Sequence, residues 1–248
     1  MIIAILTDFG IEDTYSALMK GVMLKTNPEL RFVDITHSIP QGDIKKAAFR
    51  LFTAYKYFPV NTIFLVVVDP GVGTNRMPII VKTNDYYFVG PDNGVFSWVY
   101  TCERCRVYKI KSISKDISNT FHGRDVFAPV ATKLSKGIKI TQLGEELKKW
   151  TSFKIPAPQT NKNTIEGEII DVDSFGNLIT NVESTKLSEK VKVMIKGLTI
   201  TGLKKSYTGV SPIAIKGSAD FLEISLPNGN CAKKIKANIG TKICINLH

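Results

Sequence analysis

Apolar and polar positions follow two different rhythms along the chain. In the first part, short continuous apolar runs alternate with stretches of helical period. Ile2–Leu6, Phe32–Ile35 and Ile63–Val68 are rich in β-branched residues and too short for buried helices, so they predict strands covered on both faces. Between the first two, Tyr15, Leu18, Met19, Val22 and Met23 recur at helical spacing. They predict a helix over about Asp13–Lys25, with Asp13 or Thr14 at its start and Asn27-Pro28 as its stop. Asp43–Tyr57 predicts a second amphipathic helix, capped by Asp43 and followed by Pro59. Pro78–Thr83 and Tyr86–Val89 read as a strand pair turning at Asn84-Asp85. A short helix over Val95–Tyr100 carries Trp98, Arg106–Ile110 adds a strand, and a helix follows over about Val126–Ser135. Strands alternating with helices predict an α/β domain over residues 1–155, with a largely parallel sheet flanked by helices.

After Trp150 the rhythm changes. Residues 156–163, polar and containing Pro156 and Pro158, read as a linker. Then come six short β-like runs divided by Gly- and Asn-containing turns: Ile165–Val172, Leu178–Val182, Val191–Ile195, Ile213–Lys216, Phe221–Leu226 and Lys242–Leu247. With no long helix among them, they predict a smaller antiparallel β-barrel over residues 164–248.

Composition narrows the possible functions. With 248 residues and 44% hydrophobic positions, the chain forms a packed core and is not globally disordered. No apolar run reaches the ~20 residues of a membrane helix. The opening residues lack a basic leader, so a cytoplasmic location is expected. The net charge of +11 divides as 20 basic against 14 acidic residues in 1–150 and 13 against 8 in 151–248. A charge so evenly spread is unlike the basic stripe of a nucleic-acid-binding protein. Four cysteines include Cys102 and Cys105 at CxxC spacing, but no second pair completes a zinc site, and thiols in a surface turn are expected. No metal and no cofactor are expected.

Candidate chemistry gathers where apolar runs stop. Ile63–Val68 ends in Asp69-Pro70-Gly71-Val72-Gly73, with Arg76 just beyond, and Ile2–Leu6 ends in Thr7-Asp8-Phe9-Gly10. Carboxyl ends of strands are where open α/β sheets bind ligands. Alone, either stretch is an ordinary turn with Asp as turn former. GxGxxG, Walker, GxSxG and HExxH motifs are all absent. Of the three histidines, His37 sits in a turn and is expected to be structural, and His248 is set aside. His122 stands in a polar loop just before a helix, where a titratable ring can meet a ligand.

Six stretches occur together in order: Thr7–Gly10, Asp34–Pro40, Val68–Thr74, Gly90–Gly94, Phe121–Asp125 and Asp173–Asn181. In this ordered set the whole chain resembles the S-adenosyl-L-methionine (SAM) hydrolases, or SAM hydroxide adenosyltransferases, which are relatives of the SAM-dependent fluorinases and chlorinases. The resemblance implies an N-terminal α/β domain, a C-terminal β-barrel and a homotrimer with sites between the domains of neighbouring subunits. It implies that Asp69, Arg76 and His122 hold a water near C5′ of SAM. It further implies that Asp8 holds the ribose hydroxyls, Phe175 packs on the adenosine and Asn177 hydrogen-bonds the adenine. Asp173 is implied for the methionine amino group, Ser218 for its carboxylate, and Asn228 for the adenine edge. Ile179 stands where related enzymes place an aromatic.

The implied reaction releases adenosine and L-methionine. Because methionine leaves as a neutral thioether, the demand falls on positioning and deprotonating water. Asp69 and His122 are both candidates for the base. Two features favour water over halide: the Asp-Arg-His set, and the lack of the long N-terminal insertion that fluorinases carry. The alternatives are a SAM-dependent halogenase on the same fold, a non-catalytic SAM or adenosine sensor, and an RNA-binding barrel.

Overall fold

The computed structural model describes residues 1–111 and 117–247, so His248 lies outside the described residues. The chain divides into two compact units, Met1–Lys154 and Ile155–His248.

The first unit runs β1 (Ile2–Thr7), α1 (Tyr15–Thr26), β2 (Arg31–Thr36), α2 (Ile44–Tyr55), β3 (Ile63–Val67), β4 (Pro78–Lys82), β5 (Tyr87–Pro91), α3 (Ser97–Cys102), β6 (Arg106–Ile110), α4 (Ala128–Ser135), α5 (Ile140–Leu143) and β7 (Gly144–Glu146). Its strands form one sheet in the order β2-β1-β3-β5-β4-β6-β7. Successive side chains of a strand point to opposite faces, and both faces of the central strands are covered. Ile3, Ile5, Ile63, Leu65 and Val67 pack with Met19 and Met23 of α1 and Val130 of α4. Ala4, Leu6, Phe64, Val66 and Val68 pack on the other side with Ala47, Leu51 and Tyr55 of α2. This double burial is why these runs are continuously apolar. Asp43 caps α2 by accepting from the Lys46 amide at 3.0 Å. Thr14 precedes α1 but makes no side-chain cap bond. Trp98 stacks on Phe52 of α2, ring centroids 4.7 Å apart.

The expectation of a largely parallel sheet is corrected. β2, β1, β3 and β5 pair in parallel, but β5-β4, β4-β6 and β6-β7 are antiparallel, so the sheet is mixed. The cause is local: β4 and β5 are joined by a tight turn, which admits only an antiparallel pair.

The second unit contains β8 (Gln159–Thr160), β9 (Thr164–Val172), β10 (Leu178–Glu183), β11 (Lys192–Ile195), β12 (Leu198–Thr201), β13 (Leu203–Lys204), β14 (Ile213–Lys216), β15 (Phe221–Ser225), α6 (Cys231–Ile235) and β16 (Lys242–Asn246). These nine strands form one sheet, antiparallel except for β13-β14, with the path β12-β11-β16-β9-β10-β15-β14-β13. The strands at its two ends are neighbours in sequence, separated only by Gly202. The sheet must therefore curl until its edges meet, which makes it nearly closed and barrel-like. Ile169, Leu178, Val193, Leu222, Ile224 and Ile245 fill its core. The stretch read as a linker belongs to this sheet: β8 pairs with β9, and Asn181 Nδ2 donates to the Pro156 carbonyl at 3.1 Å.

The four cysteines are free thiols, with Cys102 exposed at the end of α3. Among the described residues, no helix is long and apolar enough to cross a membrane, and no three His, Cys, Asp or Glu side chains gather as metal ligands.

Candidate active site

In the first unit, the parallel register of β1 and β3 matches Leu6 with Val66 and Thr7 with Val67. The two strands end side by side, and the acids that follow them, Asp8 and Asp69, line one cleft of about 730 Å³ with Phe9, Asp13, Tyr15, Gln41, Gly42 and Pro70. Asp8 accepts from the Gly42 amide at 2.8 Å. Burial pushes its carboxyl above the usual range, against the pull of that amide, and the nearby Asp69 charge adds to the rise.

Asp69 opens a loop tied down at both ends. The Val68 carbonyl accepts from Asn93 Nδ2 at 2.9 Å, and the Met77 carbonyl accepts from the Asp92 amide at 2.8 Å. Turns from the Val72 amide to the Asp69 carbonyl and from the Thr74 amide to the Gly71 carbonyl fold the loop back on itself. Arg76 is thereby returned to Asp69. Its Nε lies 2.9 and 2.8 Å from the two carboxylate oxygens, and its Nη2 also donates to Oδ2. The side chains are 9% and 5% exposed. Arg76 Nη2 reaches His122 Nδ1 at 2.6 Å, and the guanidinium lies over the Phe127 ring at 5.3 Å. Arg76 Nη1 is buried with no hydrogen-bond partner among the described residues.

His122 precedes a single π-helical turn, Gly123–Phe127, that runs into α4. Its loop is fixed by Asp125, which accepts from the Ser118 amide at 3.0 Å, and by Phe121, which packs edge-on against Phe9 and Tyr15. Burial, then the Arg76 charge, lowers the His122 pKa, while Asp69 and Asp125 oppose the shift. The structure therefore joins Asp69, Arg76 and His122 in one hydrogen-bonded chain. His37 stands apart, 9% exposed, with Nδ1 2.8 Å from the Thr7 hydroxyl and Nε2 3.2 Å from Asp34.

In the second unit, Asp173, Phe175, Asn177, Ser218 and Asn228 all line one cavity of about 670 Å³. Asp173 organises the turn between β9 and β10. It accepts from the Phe175 and Asn177 amides at 2.9 and 2.8 Å, and from Asn177 Nδ2 at 2.8 Å. Phe175 is 74% exposed, an aromatic face standing free at the cavity. Asn228 takes a left-handed backbone at φ 57°. Tyr207, Glu223, Leu226, Pro227 and Gly229 complete the lining, and sequence reasoning missed them. One signal was present: Glu223 interrupts the apolar run Phe221–Leu226 on a strand buried at every position.

The N-terminal model of the SAM hydroxide adenosyltransferases matches residues 3–144, and their C-terminal model matches residues 167–244. This chain belongs to the SAM hydroxide adenosyltransferase family. Within it, the chain is 34% identical to a (R)-S-adenosyl-L-methionine hydrolase of Methanocaldococcus jannaschii, over 96% of this chain and 92% of that one. It is 32% identical to the hydrolase of the same name from Thermus thermophilus, over 96% of both chains. A fluorinase from Actinoplanes is more distant, 26% identical over 76% of this chain and 74% of its own. Among solved structures, an uncharacterized conserved protein from Thermotoga maritima superposes with a TM-score of 0.91 at 34% identity, covering 98% of this chain and 99% of that one. In this chain an acid that follows β3, a cation in the loop beyond it and an imidazole ring before the π-helical turn are connected by hydrogen bonds.

Proposed function

We propose that this chain is a SAM hydrolase that forms adenosine and L-methionine. The observation that carries the reading is the connected Asp69-Arg76-His122 set, in a chain whose hydrolase-named relatives are more similar to it than the fluorinases are. Water attacks C5′ in line. The water oxygen forms the new bond, the C5′–S bond breaks with its electron pair going to sulfur, and methionine leaves neutral. The water proton passes to Asp69 or His122. Arg76, holding both, fixes their separation. Asp8 takes the ribose hydroxyls. The cavity of the second unit takes the rest of SAM: adenine against Phe175, Asn177 and Asn228, and methionine on Asp173 and Ser218. The sulfonium activates its own carbon, so the reaction calls on no cofactor.

We also propose a homotrimer in which the first unit of one subunit meets the second unit of its neighbour. Support comes from α1, whose Tyr15 lines the first cleft, and from β2: Tyr15, Leu18, Leu24 and Val33 leave apolar surface exposed at 46, 44, 40 and 40%. Free thiols at Cys102 and Cys105 fit a reducing, cytoplasmic compartment.

The test of the reaction is SAM turnover in ¹⁸O-labelled water, with and without chloride, read by mass spectrometry. Label on the adenosine 5′-hydroxyl is the expected result. Methylthioadenosine, S-adenosylhomocysteine or a 5′-halo-adenosine as main product overturns it.

A further inference from the structure

The cavity of the second unit contains a carboxylate that the reading above does not use. Glu223 lies on β15, a strand whose side chains are all buried, and is itself 8% exposed. A glutamate so buried is held by specific partners or serves a ligand. The Tyr207 hydroxyl donates to Glu223 Oε2 at 3.0 Å. The other oxygen, Oε1, lies where a side chain at position 217 would go: a Cβ built on Gly217 falls 2.1 Å from it. Gly217 therefore leaves room for this carboxylate at the cavity, next to Ser218. Asp173 lines the same cavity, and among the described residues no Lys, Arg or His side chain does. Burial pushes the Glu223 carboxyl above its usual range; the Tyr207 hydrogen bond opposes the rise and the Asp173 charge adds to it. Two carboxylates with no neutralising cation make a place for a positive group.

We infer that Glu223 is a second recognition residue for the α-ammonium of the methionine moiety, acting with Asp173, and that it makes the enzyme selective for sulfonium substrates bearing that ammonium. The inference rests on the proposal that this cavity takes the methionine end of SAM. Tyr207 is the positioning residue: its hydroxyl holds the carboxylate while leaving one oxygen for the ligand. Asn177 and Ser218 line the same cavity as neutral polar residues and bring no charge to balance it.

The experiment compares two substrates across three proteins. The substrates are SAM and the analogue in which a 3-carboxypropyl group replaces the amino acid, so that the sulfonium and carboxylate remain and the ammonium is gone. The proteins are wild type, Glu223→Gln and Tyr207→Phe, each with its melting curve recorded. For Glu223→Gln, the KM for SAM rises roughly tenfold with kcat nearly unchanged, the size expected for one charge-assisted hydrogen bond. Its KM for the analogue stays at the wild-type value. Tyr207→Phe shows the same selectivity with a smaller rise. Equal loss on both substrates, or no loss on SAM while wild type turns SAM over, overturns the role of Glu223. A wild type that binds SAM calorimetrically without turnover refutes hydrolysis instead, and the same ammonium comparison is then read from Kd.

Discussion

Asp69, Arg76 and His122 carry different parts of the proposed chemistry, and their substitutions separate on that basis. Asp69 and His122 act on the water, so Asp69→Ala and His122→Ala are expected to bind SAM while kcat falls by roughly 10²–10⁴. Asp8 holds a group present in substrate and transition state alike, so Asp8→Ala raises KM first. Kinetics beside calorimetry checks both, and wild-type turnover in Asp69→Ala removes that residue from the mechanism. His122 also sets the pH dependence. Burial and the Arg76 charge depress its pKa below 6.5. A ring that accepts a proton, or whose Nδ1 faces the Arg76 Nη2 donor at 2.6 Å, must be neutral, and lowering the pKa extends the neutral range downward. Activity is therefore expected to persist through pH 6.5 and to fall only in more acidic solution. A half-loss above pH 6.5 that vanishes in His122→Gln contradicts this. Some of this site is legible in residues alone: an acid that abruptly ends a β-branched run marks Asp69 and Asp8 as strand-end groups. The return of Arg76 to Asp69 is not, because the six residues between them, two of them glycines, have many conformations. Glu223 escaped because alternation assigns a lone acid in a strand to the solvent side, and in a curled sheet that side is itself covered.

At the scale of elements, the site depends on two loops held against each other. Gly73 takes φ +77°, and a Cβ there falls 2.5 Å from the Asn119 carbonyl oxygen, so the Asp69–Arg76 loop touches the segment leading to His122 through a position only glycine fits. Gly73→Ala pushes the two apart. Gly240 has a similar φ, +84°, with nothing within 4 Å of its Cβ, and serves as a control for backbone strain alone. Both variants are expected to lose about 1 kcal/mol of stability or somewhat more, but only Gly73→Ala loses kcat, by roughly tenfold or more. Equal kcat in the two variants refutes the coupling of the loops. Asp43→Ala provides a measure without a catalytic effect: loss of the cap on α2 costs about 1 kcal/mol in a melt and leaves kcat intact. The elements that sequence makes legible are those with strong patterning, the buried strands β1 and β3 and the amphipathic α2. β7 is read from no pattern, since Gly144-Glu145-Glu146 has one small residue and two exposed acids; it exists because β6 offers it a pairing edge. Strand direction is silent in a periodicity of two except where a tight turn joins β4 to β5, so the antiparallel pairings of β6 and β7 are not legible in the sequence.

At the scale of the whole molecule, the residues proposed for SAM fall in two separately packed units: Asp8, Asp69, Arg76 and His122 in one, Asp173, Phe175, Asn177, Ser218 and Asn228 in the other. A chain that completes its own site and a trimer that shares sites between neighbours make opposite predictions when two defective proteins are mixed. Asp69→Ala breaks the first unit and keeps the second; Asp173→Ala does the reverse. Each alone is expected to be nearly inactive, the first through kcat and the second through KM, and each is expected to elute as a trimer by light scattering. If sites form between neighbouring subunits, dissociating and reassembling an equal mixture places an intact first unit against an intact second unit in about one site in four, by random cyclic assembly. Activity near a quarter of wild type is then recovered. If each site lies within one chain, every site retains one defect and no activity returns, whatever the mixing ratio. Varying the ratio sharpens the test, because recovered activity should follow the product of the two fractions, with its maximum at equal amounts. Recovery in a linear rather than a product relation, or from proteins that elute as monomers, contradicts the shared-site trimer while leaving hydrolysis itself intact.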